Sequence, residues 1–105
     1  MHRANINKFM GMILEELENA EEKHPKFCDL YSTKEPQAVR KALNHLREQN
    51  NTEPLEADTI LYEEVAEATE AFIQGDKEHC LHELAQCGAV IMRCMEFVER
   101  EIKKK

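Results

Sequence analysis

Apolar residues along the chain recur at spacings of three and four, and nowhere alternate with period two, so the pattern predicts helices and no sheet. Ile6, Phe9, Met10, Ile13, Leu14 and Leu17 mark a first helix from about Asn5 to Lys23, with Glu15, Glu16, Glu18, Glu21 and Glu22 filling much of the remaining surface. Pro25 sets its end, because the residue before a proline avoids helical geometry. Val39, Ala42, Leu43 and Leu46 mark a second helix. It is expected to start near Ser32 or Thr33, with Ser32 and Glu35 able to form a capping box and Pro36 acceptable in the first turn. Glu48 to Thr52 reads as a polar linker, and Pro54 and Asp58 signal a new start. A third helix is expected from about Leu55 to Gln74, with Leu61, Val65, Ala68 and Phe72 as its apolar centre line. Gly75 suits the position after a helix end and Asp76 the next N-cap. A fourth helix follows from Lys77 to about Ile102, fraying into Lys103, Lys104 and Lys105, whose charge complements a helix C-terminus. Gly11, inside the first helix, either admits a close neighbour or is merely tolerated.

One residue breaks the pattern. Cys80, Leu84, Cys87, Val90, Ile91, Cys94, Met95, Phe97 and Val98 form the apolar stripe of the fourth helix, and Glu83 falls inside that arc. An ionised carboxylate on a core face is costly unless paired, hydrogen-bonded or bound to a cation. The two-residue break at Gly75-Asp76 makes the third and fourth helices antiparallel neighbours. Glu67 stands as far before Gly75 as Glu83 stands after it, so the two share a height, with Glu64 and Gln86 about one turn further from the hinge. The helical wheel puts Glu64 and Glu67 beside the apolar line and turns Glu63 and Glu70 further toward solvent. Against this stands the plainer alternative, a solvated acidic helix face paired with basic neighbours.

Composition narrows the classes of function. The 105 residues suffice for one domain, 1–105, and so short a chain buries a modest core that favours assembly. A net charge of −7, without a basic stripe carrying aromatics, argues against a nucleic-acid polymer as partner. No apolar run approaches a membrane span and no secretory pattern follows Met1, so a cytoplasmic protein with no membrane partner is expected. Cys80, Cys87 and Cys94, spaced by seven, read as reduced residues on a packing seam. A zinc site with His79 and His82 is the less favoured alternative, because no CxxC or HxxxH spacing is present.

Two segments are candidates for ligand contact. Lys23, His24 and Phe27 are candidate substrate-binding residues at a lip, with Phe27 against an apolar or aromatic group and Lys23 or Lys26 near phosphate. The competing reading tucks Phe27 into the core at a helix stop. Lys34, Arg40, Lys41 and Arg47 make the second helix the least acidic segment, which suits a phosphate contact or, more simply, a solvated face.

Three carboxylates and one amide oxygen at one level make a hard-oxygen site, better suited to Mg²⁺ or Mn²⁺ than to zinc. A cation held there screens polyphosphate charge and activates water, and Glu63 is placed to order that water or act as base. Here the chain resembles a family. Glu63-Glu64-x-x-Glu67, a gap, and Glu83-x-x-Gln86 are similar to the EExxE…ExxD signature of MazG-like all-α nucleoside triphosphate pyrophosphohydrolases, over roughly residues 60–98. The resemblance implies a four-helix bundle completed in a homodimer, or in a tetramer made of dimers. It implies Mg²⁺-dependent cleavage of a (deoxy)nucleoside triphosphate to monophosphate and pyrophosphate. Glu64, Glu67 and Glu83 become metal ligands and Glu63 a metal ligand or water-positioning residue. Gln86 stands where the family pattern has Asp, which leaves an oxygen ligand but removes a charge. Two other readings stay open. A phosphoribosyl-ATP pyrophosphohydrolase shares the carboxylates but normally carries a Tyr-His pair, absent after Gln86. A helical dimerisation or adaptor module needs no catalytic site.

Overall fold

The computed structural model describes residues 1–104; the expectation for Lys105 lies outside them. Four helices account for nearly all regular structure, and the described residues contain no strand. They are α1 (Arg3–Lys23), α2 (Pro36–Asn50), α3 (Ala57–Ile73) and α4 (Lys77–Lys103). The helix ends follow local chemistry. His24 ends α1 one residue ahead of Pro25. Glu35 is extended, as a residue before proline should be, and Pro36 opens α2. The expected capping box is therefore not formed: Ser32 Oγ accepts from the Lys34 amide at 3.4 Å, and Glu35 itself is the N-cap. The stretch expected to be linker contributes Glu48, Gln49 and Asn50 to the last turn of α2.

The α3–α4 turn is closed on both sides. Gly75, at φ 84°, adopts the left-handed conformation that costs other L-residues strain. Its amide donates to the Phe72 carbonyl and that of Asp76 to the Ala71 carbonyl, both at 3.0 Å, a Schellman closure. Asp76 then caps α4 by accepting from the His79 amide at 3.1 Å.

The helices pack in the order α2, α3, α4, α1. Among the described residues, α3 lies between α2 and α4, while α1 touches α4 alone. The bundle is thus an open row, without an α1–α2 contact to close it. Its dimensions, 43 × 42 × 21 Å, are those of a slab, and its radius of gyration is 15.9 Å. A compact chain of this length would have about 13 Å.

The buried seam of the α3–α4 hairpin is made of small residues. Ala68, Ala71 and Cys80 form the core cluster, with Phe72 packed against it and Cys87 buried further along. This rotates the α3 seam away from the expected centre line: Val65 is exposed on one side and the glutamate flank turns inward on the other. Val39 and Leu43 anchor α2. On α1, Phe9 is the buried residue; Met10, Ile13, Leu14 and Leu17 are all exposed. Nothing among the described residues lies within 4 Å of where a Cβ on Gly11 would stand, so Gly11 serves no close contact among them. In the linker before α2, Tyr31 rests its ring 4.8 Å from that of Phe72. Phe27 is 86% exposed and fills no part of the core.

Candidate metal centre

The small side chains of the hairpin determine the site. Alanines on α3 and cysteines on α4 let two helices approach closely, and helix separation is set by the residues at the contact. Glu64, Glu67 and Glu83 come together across that seam, each offering a carboxylate oxygen, with all three oxygens within 4.8 Å of one another. Glu83 is buried, with 7% of its surface exposed. Octahedral Mg²⁺ holds oxygens at about 2.1 Å, hence about 3–4 Å apart. The observed spacing needs only a rotamer-scale contraction to reach that range.

Two histidines on α4 stand one turn before the α4 side chains of the site. His79 Nε2 donates to Glu83 Oε1 at 2.9 Å, while its backbone amide is held by Asp76. The helix cap at the hinge thus fixes the residue that contacts the buried carboxylate. The donors and acceptors around Gln86 assign the orientation of its amide, with the oxygen toward His82. Its amide nitrogen donates to Glu83 Oε2 at 2.8 Å and to Glu64 Oε2 at 3.2 Å, and its oxygen accepts from His82 Nε2 at 3.2 Å. The amide satisfies carboxylate oxygens from both helices, and its oxygen faces away from them. Coordination by that oxygen requires the amide to rotate.

Gathering carboxylates changes their acidity. Desolvation, then the Glu83 and Glu63 charges, holds the Glu64 carboxyl above its ordinary value. Glu67 is pushed up to about 7 by desolvation first, then by a hydrogen bond with Glu63 and the charges of Glu64 and Glu83. Burial, followed by the charges of Glu64 and Glu83, raises the Cys87 thiol, which therefore stays protonated. Among the described residues no cluster combines cysteine and histidine at metal-binding distance, so the zinc alternative has no support. Cys80 and Cys87 are buried on the seam, and Cys94 Sγ faces the Ala57 carbonyl at 3.8 Å.

The flank expected to face solvent is instead occupied by α2. Glu70 pairs with Arg40 at 2.9 Å, and Arg47 lies 3.7 Å from Glu67. Glu63 accepts a 2.8 Å hydrogen bond from Asn50 Nδ2. Asn50, placed in a linker by its polar neighbours, is thus a site-adjacent residue that periodicity missed. No sequence signal specifies it, since its contact depends on where the end of α2 meets α3. The two Arg–Glu pairs partly bear out the plainer reading of an acidic face with basic neighbours, but neither pair reaches Glu64 or Glu83.

The lip residues lie elsewhere on the chain. His24 and Phe27 line a cavity of about 770 Å³ with Leu17, Ala20, Glu21, Pro25, Lys26 and Cys28. Lys23 is exposed at the end of α1 and does not line it. None of the clustered carboxylates lines it either. Compared with known proteins, the chain matches no family model, no curated protein and no solved structure.

Proposed function

We propose that the protein is a Mg²⁺-dependent nucleoside triphosphate pyrophosphohydrolase, cleaving a (deoxy)nucleoside triphosphate to the monophosphate and pyrophosphate. The observation that carries this reading is the convergence of Glu64, Glu67 and Glu83 across the α3–α4 seam, with Glu83 buried and a histidine as its hydrogen-bonded neighbour. Like charges so close favour a proton or a cation between them. Glu64, Glu67 and Glu83 are the ligands in this proposal, joined by the Gln86 oxygen after amide rotation, and Mn²⁺ can replace Mg²⁺. The cation supplies counter-charge to the triphosphate. Glu63, beside the ligands but outside the three-carboxylate group, orients the attacking water and accepts its proton. Arg47 is near enough to exchange Glu67 for a phosphate oxygen. Lys23, His24 and Phe27 stay in the proposal as the lip on the substrate side. The reading includes a homodimer or a tetramer of dimers, supported by the open row of helices and the uncovered apolar face of α1. It also includes a cytoplasmic setting; no described helix is long and apolar enough to cross a membrane.

The test is pyrophosphate release from a panel of canonical and modified (deoxy)nucleoside triphosphates, with Mg²⁺ and with EDTA. Wild-type protein is expected to turn over at least one of them only with the metal, and Glu67→Gln and Glu83→Gln are expected to abolish that turnover. A parallel thermal melt should rise with Mg²⁺ for the wild type alone, because a ligand that binds only the folded state stabilises it. Wild-type rates in both variants would remove the assigned site. Silence across the panel, with no shift in the melt, would leave a helical interaction module.

A further inference from the structure

We infer that Asn50, the last residue of α2, is a positioning residue that aims the Glu63 carboxylate at the site. This rests on the pyrophosphohydrolase reading above. The side-chain amide of Asn50 is part-buried and uses both its N–H groups on α3: one reaches the Thr59 carbonyl at 3.2 Å, the other Glu63 Oε1 at 2.8 Å. Thr59 and Glu63 are one helical turn apart, so the amide grips the α3 backbone and the Glu63 side chain together. A glutamate has three side-chain torsions, and an exposed one samples many rotamers. Here Oε1 is committed to Asn50, on a residue that directly precedes Glu64 and stands about one turn before Glu67 on α3. One carboxylate oxygen is thereby fixed from the α2 side, which leaves the other for the water of the proposed reaction. A general base needs such placement, since it must stand within about 2.6–3.2 Å of the proton it removes.

The same geometry separates positioning from mere packing. Glu63→Gln keeps an oxygen that can accept from Asn50 but abolishes the base. Asn50→Leu removes both hydrogen bonds; Asn50→Asp keeps the size and replaces the donor by an acceptor. The four corners of the cycle formed by Asn50→Leu and Glu63→Gln are assayed for Mg²⁺-dependent pyrophosphate release from the best triphosphate of the panel, and melted in parallel. In the wild-type background both Asn50 variants are expected to lower kcat by about 10–100-fold, with KM and the Mg²⁺-induced melting shift retained. In the Glu63→Gln background Asn50→Leu is expected to change kcat by less than about twofold, while its cost in melting temperature persists. Equal loss of kcat in both backgrounds makes Asn50 a structural residue and overturns the inference. So does a kcat within about twofold of wild type for Asn50→Asp. An active wild type with either of those results leaves the enzyme reading standing and removes only the role of Asn50. A wild type without metal-dependent turnover removes both.

Discussion

The α3–α4 hairpin and α1 differ in a way that inverts ordinary expectation. α1 carries the larger apolar side chains, including Phe9, Met10, Ile13, Leu14 and Leu17, yet Phe9 alone among these is buried. The hairpin seam is lined by Ala68, Ala71, Cys80 and Cys87 and is closed, although it takes in the carboxylate of Glu83. Apolar area sets how much a helix can gain from a partner; it does not supply one. A two-residue turn supplies a partner at once, because it holds the next helix alongside. The linker of about a dozen residues after α1 lets that helix rest on the far end of α4, where Lys8 pairs with Glu99. The hairpin gathers three carboxylates because its contact residues are small; α1 offers a surface because Met10, Ile13, Leu14 and Leu17 stay exposed among the described residues.

The sharpest way to break the contrast is to enlarge the small seam. Ala68→Leu should destabilise the fold by about 1–3 kcal/mol through overpacking and weaken the Mg²⁺-induced melting shift by forcing the carboxylates apart. Urea titration with and without Mg²⁺ reads both effects, and an unchanged shift would mean that seam width does not control the cluster. The turn comes next. Gly75→Ala places a Cβ at φ 84°, and about 1 kcal/mol of stability should be lost although open space surrounds the position. A neutral outcome would show that the hairpin tolerates another closure.

A smaller effect comes from pH. Glu64 and Glu67 have folded-state pKa values above their ordinary range, Glu67 at about 7. The folded state then holds more protons than the unfolded one between the ordinary carboxylate range and about pH 7, so stability without metal should fall as pH rises through that window. Added Mg²⁺ should oppose the fall increasingly toward pH 8, because the ligands must lose their protons to bind it. Melts across pH 5–8 with EDTA and with Mg²⁺ measure this, and parallel curves would contradict it. The smallest effect on the single chain belongs to α1. Leu14→Ser should change the stability of the isolated chain by less than about 0.5 kcal/mol, since the residue is exposed. In sedimentation at graded concentrations it should nonetheless weaken self-association. An unchanged sedimentation profile would remove α1 from the proposed dimer contact.

Local signals were legible wherever neighbouring residues alone decide the outcome. Gly75, Asp76 and Pro25 mark the observed hinge and helix end, and the four periodic stretches became four helices, although α2 starts at Pro36 and not near Ser32 or Thr33. The shared height of Glu67 and Glu83 followed from counting residues along an antiparallel hairpin. It holds in the structure because the turn fixes the register. Glu83 could be singled out because a carboxylate inside an apolar arc requires a partner. The fates of Glu63 and Glu70 were misread for the opposite reason: nothing in α3 says that α2 will cover that flank, where Arg40 and Asn50 meet them. Similarly, Phe27 and Tyr31 are aromatic residues of one linker, and only the path of that linker puts Tyr31 on Phe72 and leaves Phe27 exposed.

The sequence by itself thus determined the helices, the hairpin and the level at which three carboxylates meet. Each follows from helical periodicity and a turn too short to allow another register. The tertiary structure decided which flank of α3 α2 covers and set the Gln86 side chain among Glu64, Glu83 and His82. It also decided that α1 leaves its apolar face uncovered. Those outcomes depend on packing between elements distant in the chain, whose relative placement no local pattern encodes.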